Sequence, residues 1–102
     1  MRVHVSPLAS RYAVGRRRPI YVWATAAGGD WSMLQANLTP PADIRFGSVG
    51  AQRRPRVLMA DGLRHQPLLQ GGTDFKLVIG LRLLPRPRLT ASWSGTGAIP
   101  VS

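Results

Sequence analysis

Residues 75–83 read FKLVIGLRL, and this stretch narrows the fold more than any other part of the chain. Phe75, Leu77, Ile79, Leu81 and Leu83 fall on one face of an extended backbone, with Lys76, Val78, Gly80 and Arg82 on the other. A hydrophobic period of two belongs to a β-strand with one side buried. The segment is therefore expected to be the central core strand, and the rest of the chain must supply a sheet around it.

Further strand signals exist on both sides. IYVWATA (20–26) is dense in β-branched and aromatic residues, and Tyr21 and Trp23 are its candidate core side chains. The turn AGGD (27–30) follows. WSMLQANLT (31–39) then fits two forms: a returning strand with Trp31, Met33 and Gln35 on one face, or a helical turn grouping Trp31, Leu34 and Gln35. Pro40-Pro41 ends either form. RVLMA (56–60), Asp61-Gly62 and LRHQPLL (63–69) have the pattern of a hairpin with a type I′ turn. Pro67 would place the returning strand at an edge or bend it. LPRPR (84–88) reads as a stiff extended connector, and LTASW (89–93) aligns Leu89, Ala91 and Trp93.

No segment carries a sustained helical stripe, and 11 Gly with 9 Pro imply many turns. The expected fold class is all-β, a small antiparallel sandwich or barrel. At 102 residues it forms one domain. An extended basic arm is expected over 1–19, the β body over 20–93, and a loop-like tail over 94–102. The acid-free, Arg- and Ser-containing start has something of a transit peptide's composition; the extended arm is the reading preferred. Asn37-Leu38-Thr39 matches a glycosylation sequon but follows no secretory signal.

Charge limits the chemistry. Fourteen basic residues face four acidic ones, for a net charge of +10. The acids are Asp30, Asp43, Asp61 and Asp74; there is no Glu, and Lys76 is the single lysine among arginines. Asp30 and Asp61 fall in turns, where Asp bonds its own backbone, and Asp43 and Asp74 just precede expected strands. None makes a carboxylate pair fit for acid–base work. His4 and His65 lie at no metal-ligand spacing, and without Cys there is no thiolate site or disulfide framework. No G-x-S-x-G elbow or phosphate-binding loop is present. The chain is expected to be non-enzymatic, with no cofactor and no metal. Its uncharged stretches are too short to span a bilayer, so no membrane partner is expected.

The arginines carry the functional signal. They cluster as Arg16, Arg17 and Arg18 before Pro19, as Arg53, Arg54 and Arg56 around Pro55, and as Arg86 and Arg88 around Pro87. Proline stiffens the backbone and suits a strand entrance; a guanidinium cannot enter a core unpaired. These residues are expected on the rim of the sheet as polyanion or subunit contacts. If IYVWATA and RVLMA run the same way, the first two clusters share one end. Arg also suits bidentate contact with phosphate or carboxylate.

The expected function is that of a structural subunit in a large assembly such as a virion or phage particle (capsid, head-tail or tail region). It would be oligomeric and assembly-bound, touching other protein subunits and, non-specifically, nucleic-acid backbone. The competing expectation is a small basic ribonucleoprotein component, cytoplasmic or organellar, binding RNA backbone. The modest count of basic residues and the apolar β content favour the subunit.

Overall fold

The computed structural model describes residues 2–24, 34–64 and 75–95. The chain runs β1 (Arg2–Val5), α1 (Pro7–Gly15), β2 (Ile20–Ala24), β3 (Leu34–Asn37), β4 (Phe46–Val49), β5 (Val57–Ala60), α2 (Asp61–Arg64), β6 (Phe75–Arg82) and β7 (Arg88–Gly95). Among the described residues, seven strands form two sheets, ordered β1-β6-β7 and β3-β2-β5-β4. The fold is a small all-β sandwich. Its sheets are mixed: β1 pairs parallel with β6, and β2 parallel with β5, beside three antiparallel pairs.

One core joins the sheets. Ile20 and Val22 of β2, Val57 and Met59 of β5, and Leu77 and Ile79 of β6 are almost wholly buried, in a single cluster with Leu38, Leu63 and Leu89. The period-two pattern of β6 is thus realised in its middle strand position. It stops early, however: β6 ends at Arg82, and Leu83, expected in the core, is 52% exposed. The chain turns at that point, because LPRPR forms the closing loop of a β6–β7 hairpin in which Arg82 faces Arg88. It is no extended connector. Ala91 and Trp93 pack partly buried against the core, as does Leu81.

Tyr21, also expected in the core, points away from it. Alternation along β2 gives the inner face to Ile20 and Val22, leaving Tyr21 and Trp23 on the outer face with Phe46 of β4. The Tyr21 and Phe46 ring centroids are 5.0 Å apart, edge to face, and those of Trp23 and Phe46 are 6.4 Å apart. Trp23 additionally reaches the core cluster.

The amino-terminal segment differs from the expected extended arm. Residues 2–5 form an edge strand, and Ser6 caps a nine-residue helix, its Oγ accepting from the Ala9 N–H at 3.2 Å. Pro7 follows at a first-turn position that needs no N–H partner. Ala9 and Ala13, one turn apart, are fully buried and bring α1 close against β6. The Ser6 N–H donates to the Ile79 carbonyl at 2.8 Å, tying the strand–helix junction to the sheet.

Asp61-Gly62 opens the helical turn α2 instead of a type I′ turn. Leu63 inserts into the core, Asp61 pairs with Arg64 at 3.1 Å, and the antiparallel neighbour of β5 is the preceding strand β4. Within the ambiguous segment, residues 34–37 form a strand pairing back on β2. The 27–30 turn, Trp31, Met33, His65, Pro67, the Phe75 side chain and the tail beyond residue 95 lie outside the described residues.

Candidate polyanion-contact site

The parallel pairing of β2 and β5 creates the site. Ile20 lies opposite Val57, and the Ile20 N–H donates to the Arg56 carbonyl at 2.9 Å. Whatever precedes the two strands is thereby brought side by side, so Arg17 and Arg18 meet Arg53, Arg54 and Arg56. Together they line an open cleft of about 240 Å³ above Val14, Pro19 and Pro55. Pro55 is buried and Pro19 half-buried, so the prolines form a floor from which the guanidinium groups project. A second cleft, about 470 Å³, adjoins the first and shares Arg53 and Arg56 with it; Ser48, Gly50 and Gln52 line its far side.

A local backbone turn aims the first cluster. The Arg17 N–H donates to the Val14 carbonyl at 3.0 Å, and the Arg18 N–H reaches the Ala13 carbonyl at 3.2 Å. This is a helix C-terminal cap whose pivotal residue takes a left-handed conformation, and Arg17 does so with φ 55. The turn divides the Arg16–Arg18 run. Arg16 folds back over the Tyr12 ring, 3.8 Å from its centroid, and donates to the Tyr12 carbonyl. It is not part of the cleft lining.

Among the described residues, no carboxylate is in ion-pair contact with Arg17, Arg18, Arg53, Arg54 or Arg56. Arg56 is steadied by donating to Ser48 Oγ at 2.9 Å. Ser48 went unnoticed in the sequence, where nothing in RFGSV marks it; its placement follows from the β4–β5 pairing. Five cations share this lining with no neutralising carboxylate among the described residues, which favours an anionic ligand.

The third cluster stands apart. Arg88 joins Arg82 in a cleft along the seam between β7 and β3, with Leu34, Gln35 and Ala36 opposite. Arg86 is exposed on the hairpin loop beside Leu84, itself 79% exposed. Neither touches the five-arginine cleft.

His4 is exposed on β1, and among the described residues no group of three His, Cys, Asp or Glu side chains gathers. No described helix is long and apolar enough to cross a membrane. Comparison of the chain with family models, with characterised proteins and with solved structures found no match.

Proposed function

We propose that this protein is a non-enzymatic structural subunit of a large assembly, of the kind that builds a virus or phage particle, and that it is assembly-bound in place. The observation that carries this reading is the tip of the β6–β7 hairpin. There Leu83 and Leu84 are 52% and 79% exposed, framed by Arg82, Arg86 and Arg88. Adjacent exposed leucines on a proline-stiffened loop favour burial against a neighbour, since a pre-shaped tip loses little freedom on docking. Arg82 and Arg88 also face each other across the ribbon, a like-charge pairing that costs stability in isolation and is relieved by an anionic contact.

The test is sedimentation velocity of the purified protein at increasing concentration, in enough salt to screen the repulsion between copies of net charge +10. Reversible oligomers that disappear in the Leu83→Ser, Leu84→Ser double variant support the reading. A strictly monomeric protein overturns it. The ribonucleoprotein reading draws instead on the acid-free arginine cleft; it requires preference for single-stranded or folded RNA.

A further inference from the structure

We infer that the two adjoining clefts form one trough that holds the phosphate backbone of a nucleic-acid duplex, independent of base sequence. This rests on the assembly reading and names the partner of a different face from the hairpin tip.

Three features point to it. The first is the composition of the lining. A protein partner needs apolar or aromatic anchors at the centre of its contact, whereas the two clefts meet at Arg53 and Arg56, and their apolar lining is limited to small or aliphatic residues, Val14, Pro19 and Pro55 in the first and Val49, Ala51 and Val57 in the second. Interfaces with nucleic acid are the strongly positive ones. The second is shape. Arg53 and Arg56 belong to both clefts, so anionic groups can sit on either side of them, as successive phosphates do. A single small anion would leave most of the five cations unused. The third is that, among the described residues, no aromatic side chain lines either cleft. Single strands are held by stacking bases on aromatic side chains; Tyr21, Trp23 and Phe46 are committed to one another on the outer sheet face. What remains is recognition of a duplex by its backbone.

Arg17 gives an independent mark of function. A left-handed conformation is disfavoured for any residue with a Cβ, and glycine is the usual occupant of this cap position. The chain has a glycine two residues earlier, at Gly15, yet places an arginine at φ 55. A residue kept against its backbone preference at the edge of a cationic trough is there for its side chain.

The experiment measures anisotropy of labelled 20-base-pair DNA and RNA duplexes, and of single strands of equal length, against salt. The affinity should fall steeply with salt, and Arg53→Gln with Arg54→Gln should flatten the log–log slope by about 1.8, roughly 0.9 per lost phosphate contact. Arg45→Gln with Lys76→Gln, equal in charge but outside both clefts and the hairpin tip, should leave the slope nearly unchanged. Arg17→Gly should weaken duplex binding while raising the melting temperature by about 4 °C. Preference for the DNA duplex over the RNA duplex agrees with the inference, and preference for the RNA duplex, the helix of folded RNA, overturns it in favour of the ribonucleoprotein reading.

Equal slope losses from the two double variants would reduce the effect to net charge and overturn the inference. Tighter binding of single-stranded RNA would overturn it in favour of the ribonucleoprotein reading. No binding at low salt overturns it too, while leaving the self-association result of the hairpin tip untouched.

Discussion

Ile79 and Leu83 occupy equivalent places in the alternation of FKLVIGLRL, yet they should respond very differently to truncation. Ile79 is fully buried at the centre of β6, between Val5 of β1 and Ala91 of β7, while Leu83 lies past the strand end with half its surface in solvent. Ile79→Ala removes three carbons from the core. At about 0.8 kcal/mol each, the lost transfer energy is about 2.4 kcal/mol. A cavity that relaxes incompletely raises the cost to about 3–4 kcal/mol. For a domain of this size that corresponds to about 15–20 °C in melting temperature. Leu83→Ala should cost about 1 kcal/mol or less, because it vacates no enclosed space. Urea unfolding followed by tryptophan fluorescence measures both, with an unchanged m-value confirming that the unfolding transitions are comparable. Costs within about 0.5 kcal/mol of each other would refute the placement of the strand end.

Ser6→Ala removes the cap acceptor of α1 and should cost about 1 kcal/mol, read as loss of helical circular dichroism at a lower urea midpoint. Gly50→Ala should cost about 1–3 kcal/mol. Its φ of 74 disfavours a Cβ, and the added atom would stand 2.9 Å from Val3 Cγ2, setting the loop after β4 against β1.

Much of the sandwich could be read from alternation. β6, β2 and β7 were legible because each carries apolar residues at every second position facing a shared core. The meeting of two arginine clusters was conditionally legible, since it required only that IYVWATA and RVLMA run in parallel. Three things were hidden. The helix α1 was hidden because its start, Ser6-Pro7, is a cap and a first-turn proline that resemble loop composition, and because its buried stripe, Ala9 and Ala13, is too small to stand out as hydrophobic. Strand β4, FGSV, is half-exposed and has no strong alternation, so only pairing with β5 defines it. The separation of Arg16 from its two neighbours depends on the left-handed turn at Arg17, a tertiary choice that residue preference argues against. Tyr21 was misassigned for a simpler reason. An aromatic flanked by aliphatics in a strand reads as core, but strict alternation assigned the interior to Ile20 and Val22.

The pairing of β1 with β6 sets an order of events during folding. Val3 meets Leu77 and Val5 meets Ile79, partners separated by most of the polypeptide, and the docking of α1 depends on the same strand. Residues 2–15 therefore complete their native contacts only once β6 is in place, and closing so long a loop is slow relative to hairpin formation. Until then Ala9, Ala13 and the unpaired edge of β6 stay open to solvent, an interval in which a neighbouring chain's strand can add to that edge in place of β1.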